Sequence, residues 1–145
     1  VVREWKKDGL ISYTVSSGSN KMIDRYGIVS AIRSAMGGGL RKLADGSGRR
    51  PDPSYCFLLL DGSLQAPQKN KHQKTIIKGD QKESVIALAS IIAKVHRDTF
   101  MDRYALKYPQ YGFEKHKGYG TSSHRTSIRK HGPCKIHRIS WLKNM

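Results

Sequence analysis

The chain reads as an α/β protein on three observations. A short, continuous apolar run, Tyr55 to Leu60, is strand-like, and a long helical stretch runs from Ser84 to Tyr108. Around these two segments, weaker strand and helix signals alternate in the order strand, helix, strand, strand, helix. The first strand is expected over Gly9 to Val15, which has β-branched and aromatic content and is closed by Ser16, Ser17, Gly18 and Ser19. A helix is expected from about Met22, with Ile23, Tyr26, Ile28, Val29, Ile32, Ala35 and Met36 near helical spacing. Gly37, Gly38 and Gly39 should interrupt it, leaving Leu40 and Leu43 on a frayed extension. Asp45 to Pro53 is a Gly/Pro/Arg loop. Tyr55 to Leu60 then predicts a strand buried on both faces, as inside a mixed or parallel sheet. A basic connection, Lys69 to Lys74, leads into a short strand at Thr75, Ile76 and Ile77. The best helix, Ser84 through Tyr108, is ended by Pro109.

Length and charge narrow the class. With 145 residues the sequence suits one domain, residues 1–145, with a real core. A net charge of +16 favours polyanion partners, because Lys and Arg displace the counterions condensed on nucleic acid. No apolar run approaches the roughly 20 residues that a membrane span needs. The chain opens on Val1 and Val2, not on Met, which reads as a truncation, and no signal peptide is recognised. Cys56 and Cys134 form no Cys-x-x-Cys pair; Cys56 is expected as a small buried hydrophobe, and a reducing, cytosolic setting fits.

Several side chains are chemically equipped. Asp61 ends the apolar strand, and Gly62 lets the chain turn away at once. Ligand sites in open α/β sheets gather at the carboxyl ends of strands, and a carboxylate there can bind a divalent cation. Position alone fits a turn-starting Asp equally well. Asp80 stands three residues before Glu83 at a helix entrance, so it can cap that helix or act as a second metal carboxylate across from Asp61. Asp98 is expected to pair with Arg97 or Arg103. Lys94 lies one turn from Ser90, and the two can share a phosphate contact, while Ala87, Ala89 and Ala93 suggest tight packing. Lys115, His116, Lys117, Gly118 and Tyr119 combine cations with an aromatic in a glycine-jointed loop, able to hold phosphates while Tyr119 stacks on a sugar or base. The alternative is a Tyr119 that covers the core edge. His116, His124, His131 and His137 have spacings that match no zinc signature. Gly37 to Gly39 likewise match neither a phosphate loop nor a dinucleotide fingerprint.

The run Tyr111 to Thr121 (YGFEKHKGYGT) follows the helix Ala87 to Asp98 and precedes Gly132 to Arg138 (GPCKIHR). Taken with Leu60-Asp61-Gly62 and Lys78-Gly79-Asp80 upstream, these blocks resemble the ribonuclease HII family, type 2 ribonucleases H. The resemblance is densest from about Phe57 to Trp141. It implies a ribonuclease H-like mixed sheet flanked by helices, with a helical C-terminal part. By resemblance, Asp61 matches the family's third catalytic carboxylate and Asp80, in Lys-x-Asp, the fourth. Tyr119 matches the tyrosine that packs at the RNA–DNA junction, with Ser90, Lys94, His116 and Lys117 as further substrate contacts. The implied reaction is hydrolysis of the RNA strand of RNA/DNA hybrids, or of DNA with embedded ribonucleotides. It would use Mg²⁺ or Mn²⁺ and leave 5′-phosphate and 3′-hydroxyl ends, in a cytoplasmic monomer.

Three departures qualify the match. The family carries its first two carboxylates as an Asp-Glu pair beside a Gly-Arg-Gly loop on an N-terminal strand, and this sequence has no such stretch. The sheet is therefore expected to be incomplete at that edge, and these 145 residues alone inactive. Gly46-Ser47-Gly48-Arg49 is not that loop, because it lies between the helix and the central strand. The family's helix before the central strand usually carries an Asn near its start, where this chain has Tyr26 and Gly27. The rival class is a non-catalytic basic nucleic-acid-binding protein.

Overall fold

The computed structural model describes residues 1–43, 56–67 and 72–143. The expected loop from Asp45 to Pro53, with Gly46 to Arg49 in it, lies outside the described residues, as do Tyr55 and Lys69 to Lys71. The helices are α1 (Val2–Lys7), α2 (Asn20–Lys42), α3 (Ser84–Lys107), α4 (Phe113–His116), α5 (Ser122–His131) and α6 (Ile139–Leu142). Strands β1 (Leu58–Asp61) and β2 (Gln73–Ile76) pair in parallel, with Leu58 opposite Gln73 and Asp61 opposite Ile76. Short 3₁₀ turns, Gly79–Gln81 and Pro109–Tyr111, flank α3.

Both strands of the sheet were legible, but their burial was not. Leu58, Leu59 and Leu60 are half-buried, Phe57 and Ile77 are exposed, and Cys56 is half-buried just before β1. Among the described residues the sheet is two strands wide, with contacts to α3 and the Gly79–Gln81 turn. A layer that narrow cannot bury both of its faces.

The strand expected over Gly9 to Val15 does not form. A strand needs a neighbouring strand for its ladder, and among the described residues the sheet holds only β1 and β2; here the Gly9, Leu10 and Ile11 N–H groups bond back to the Trp5 and Lys6 carbonyls. The chain instead runs against α2. A Cβ on Gly18 would lie 3.0 Å from that of Ala31, and one on Gly38 would lie 3.0 Å from Ser16 Oγ. That close approach explains the second correction. Helix α2 passes unbroken through Gly37 to Gly39 and breaks at Gly27, whose φ of 82° lies outside helical space.

Helix α2 begins at Asn20, capped by Ser19 Oγ, which accepts from the Met22 N–H at 3.1 Å. Its first turns are tied to the C-terminal segment. Asn20 Nδ2 donates to the carbonyls of Lys135 and His137, each at 2.9 Å. Asp24 accepts from the Ile139 and Ser140 N–H groups at 2.9 and 3.0 Å, and from Ser140 Oγ at 2.6 Å. These bonds, the Ser140 hydroxyl foremost, hold the Asp24 carboxyl below its ordinary pKa.

Most of the core gathers at the C-terminal half of α3. Met101, Ala105, Tyr111 and Phe113 are buried together, with Tyr104, Tyr108, Ile128, Cys134 and Ile136 packed against them. The tight packing expected of the alanines on α3 is not found: Ala89 and Ala93 are exposed and Ala87 is half-buried. Val85, Ile91, Val95 and Leu106 also point outward.

Candidate functional site

Asp61 contacts the residue next to Asp80. Asp61 is the last residue of β1, and its Oδ1 accepts from the Gly79 N–H at 2.8 Å. Asp80 is the next residue, in the 3₁₀ turn that follows β2, and both aspartates are exposed. Gly79 is buried between them, with no room for a side chain. A Cβ there would stand 2.7 Å from Ile86 Cδ1 and 3.3 Å from Asp61 Oδ1. The capping role open to Asp80 is not taken: Glu83 is the N-cap of α3, and no side chain caps that helix. Hard carboxylate oxygens at the carboxyl end of parallel strands suit Mg²⁺ or Mn²⁺, since Mg²⁺ is commonly held by one or two carboxylates together with substrate phosphates. Among the described residues, no three or more His, Cys, Asp or Glu side chains group to hold a metal ion.

Helix α3 links this pair to the basic loop. At 3.6 residues per turn, Ile86, Ser90, Ala93, Arg97 and Met101 share one stripe roughly 80° wide, with Lys94 at its edge. Ile86 lies under the Asp61–Gly79 contact, and Gly118 packs over Arg97 and Met101. Ser90 and Lys94 are exposed between these two ends. The axial distance from Ile86 to Arg97 is about 16 Å at 1.5 Å per residue, or about five nucleotides at 3.4 Å per nucleotide along one strand. Asp98 pairs with Lys94, at 3.9 Å, and not with either arginine as expected, because the i,i+4 partner lies directly above it on the helix.

The loop after α4 reverses sharply through two left-handed residues, Lys117 (φ 49°) and Gly118 (φ 82°). A side chain at Gly118 would also meet Met101 Cε at 3.1 Å and Arg97 Nη2 at 3.3 Å. Lys117 Nζ is bonded to Asp102, and the Lys117 carbonyl accepts from Arg97 Nη2 at 3.5 Å. Tyr119 leaves the loop with its backbone held and its side chain 67% exposed, so it does not cover the core edge. That is the disposition a stacking residue needs.

His116, expected among the substrate contacts, is buried, and both of its ring nitrogens meet backbone. Nε2 is 2.8 Å from the Tyr111 carbonyl, and Nδ1 accepts from the Gly118 N–H at 3.2 Å. It shapes the loop from within. His124 and His137 are buried beside it: His124 Nδ1 is 2.9 Å from the Tyr119 carbonyl, and its Nε2 is 3.1 Å from His137 Nε2. His137 Nδ1 accepts from the Cys134 N–H at 2.9 Å. Burial, chiefly, pushes both of these imidazoles below their ordinary pKa.

A cleft of about 990 Å³ opens beside the loop, bounded by residues 15–20, α3, α5 and the C-terminal segment. Arg97, Lys117, Tyr119, Arg125, Arg138 and Trp141 line it. Sequence reasoning passed over Arg97, Arg125, Arg138 and Trp141, although Arg125 and Trp141 flank Gly120 closely enough that a Cβ there would meet each at 3.7 Å. It also placed the start of α2 too late to notice Asn20, whose amide binds C-terminal carbonyls.

Residues 8–144 match the family model described as Ribonuclease HII. The chain is 44% identical to the ribonuclease HII of Caldicellulosiruptor bescii over 135 residues, covering 93% of this chain and 61% of the relative. It is 45% identical to that of Caldicellulosiruptor saccharolyticus (93% of this chain, 62% of the relative) and 42% identical to that of Ruminiclostridium cellulolyticum (95% and 51%). The chain thus spans between half and two thirds of the length of these relatives. On these matches, the chain belongs to the ribonuclease HII family.

Proposed function

We propose that this chain forms the larger part of a ribonuclease H-like domain, 1–145, of an endonuclease. Its substrate is the RNA strand of RNA/DNA hybrids, or DNA carrying embedded ribonucleotides. The observation that supports this reading is the hydrogen bond from the Gly79 N–H to Asp61 Oδ1, beside the exposed Asp80 in the turn that follows β2. Asp61 and Asp80 would hold Mg²⁺ or Mn²⁺. When bound, such a cation supplies Lewis-acid stabilisation of the charge that builds on the reacting phosphate. These 145 residues contain no Asp-Glu pair, so the two aspartates are part of the carboxylate cluster and not all of it, and the segment alone is expected to be inactive.

The chain's own residues bind and orient the substrate. Exposed Ser90 and Lys94 can take a phosphate between the carboxylates and the loop, and Lys117 and Arg97 extend that positive track. Tyr119 stacks on a sugar or base at the RNA–DNA junction, where the 2′-hydroxyl distinguishes RNA from DNA. His116 acts by holding the loop, not by touching substrate. Cleavage leaves a 5′-phosphate and a 3′-hydroxyl. Among the described residues no helix is long and apolar enough to cross a membrane, and a cytoplasmic monomer is the form we propose.

The test is cleavage of a duplex with one embedded ribonucleotide by the full-length protein, with Mg²⁺ or Mn²⁺ titrated. Asp61→Asn and Asp80→Asn should each abolish cutting while leaving much of the binding intact. A variant that still cuts at near wild-type rate would remove that aspartate from the metal centre. Retained binding with no cleavage by the wild type under either metal would favour the non-catalytic binder.

A further inference from the structure

The three buried histidines form a connected chain whose proton positions are fixed by their partners. A carbonyl oxygen can only accept, so His124 carries its proton on Nδ1, toward Tyr119. A backbone N–H can only donate, so His137 Nδ1 is bare toward Cys134 and its Nε2 holds the proton. His137 Nε2–H therefore donates to the bare Nε2 of His124, 3.1 Å away. By the same logic His116 donates from Nε2 to Tyr111 and accepts on Nδ1 from Gly118. Its ring stacks on His124 with centroids 4.3 Å apart. Every ring nitrogen has a partner, and the assignment closes only if all three rings are neutral.

We propose that His116, His124 and His137 are positioning residues: a chain of neutral imidazoles that fixes the backbone at Gly118 and Tyr119 and so sets the direction of the Tyr119 ring. The consequence for substrate rests on the reading of Tyr119 given above; the positioning itself does not. Protonating any ring would point an N–H at a donor or at another protonated nitrogen. The surroundings oppose it too. The Tyr111 ring packs against His137, and Arg97, Arg125 and Arg138 add positive charge along the cleft. Lys117 beside them is already bonded to Asp102.

The experiment reads the loop directly in the full-length protein. At pH 7.5, ring-nitrogen NMR should report Nδ1–H for His124 and Nε2–H for His116 and His137. His124→Ala should speed amide exchange across residues 118–121 about tenfold, the effect of losing one ordinary hydrogen bond. His124→Asn, whose amide can reach the Tyr119 carbonyl from the Nδ1 position, should recover most of that protection. Once rates are corrected for the slower intrinsic exchange at low pH, going from pH 7.5 to 5.5 should reduce protection in the wild type more than in His124→Asn. Should His124→Ala fail to fold, the ring tautomers and the His124→Asn comparison still decide. Reversed tautomers, or unchanged exchange at 118–121 in folded His124→Ala, would overturn the proposal. Faster exchange with unaltered affinity for a duplex holding one ribonucleotide would uphold the positioning, and the substrate role of Tyr119 would be what fails.

Discussion

Asp61 has two tasks in this fold, and two substitutions separate them. Its Oδ1 accepts from the Gly79 N–H at 2.8 Å, and Gly79 is buried, so the N–H has little access to water once that acceptor is gone. A hydrogen bond to a charged partner contributes about 1.5–3 kcal/mol when it is buried; Asp61 is itself exposed, so we expect the loss in Asp61→Ala to be about 1–2 kcal/mol. Asparagine keeps an oxygen in the Oδ1 position, so Asp61→Asn should lose less than about 1 kcal/mol. Urea unfolding of the full-length protein measures both, and the midpoint should move without a change in slope if only stability has altered. Cleavage should be abolished in both variants, because each removes the charge that a divalent cation requires. If the alanine variant were as stable as wild type, the tie between the strand ends would contribute nothing to the fold. If asparagine were as damaging as alanine, charge and not hydrogen-bond geometry would be holding the turn.

Phe113 is 1% exposed at the centre of the core, and Phe113→Ala should cost about 3–5 kcal/mol, read by denaturant unfolding; a loss under about 1 kcal/mol would mean that the site collapses around the gap. Stability should also depend on pH through His124 and His137, whose folded pKa values are lowered, mainly by burial. The unfolded chain then binds more protons, so their contribution is complete above about pH 6.5 and is lost as the pH falls through the folded values, as a melting series from pH 8 to 5 would show. A pH dependence that persists unchanged in the His124→Asn, His137→Asn double variant would discount them. In hybrid binding, Lys94→Ala should reduce the log–log salt slope by about one unit, because its 3.9 Å pairing with Asp98 is long and solvent-exposed, and Lys117→Ala by less, because its more buried ammonium is hydrogen-bonded to Asp102. Equal reductions would mean that the Lys117–Asp102 pair opens on binding.

The stretches that local pattern describes well were readable in advance. Ser84 to Lys107 has helical content and a proline stop, and it is a helix over nearly the expected range. The apolar run before Asp61 is a strand over Leu58–Asp61, paired in parallel with Gln73–Ile76. Elsewhere the outcome turned on partners that pattern cannot name. Gly9 to Val15 has strand composition and, among the described residues, no strand beside it. Gly37 to Gly39 should break a helix by propensity, yet the helix continues, and at Gly38 a Cβ would stand 3.0 Å from Ser16 Oγ.

For the candidate site, the sequence by itself determined which groups are present. Asp61 stands at a strand end, Asp80 at a turn, and Tyr119 lies among cations and glycines, all on a chain with a net charge of +16. Residue type and order are local properties, and family motifs are written in them. Only the tertiary structure decided what each group touches. It tied the Asp61 carboxylate at the end of β1 to the Gly79 N–H in the turn that carries Asp80, and set Ser90 and Lys94 between that contact and the loop. It also moved His116 from the substrate side to the interior, where His124 and His137 complete its neighbourhood. Those three rings lie up to 21 positions apart in the chain. Each needs a donor or acceptor that folding alone brings within hydrogen-bonding distance, so their role is fixed by packing.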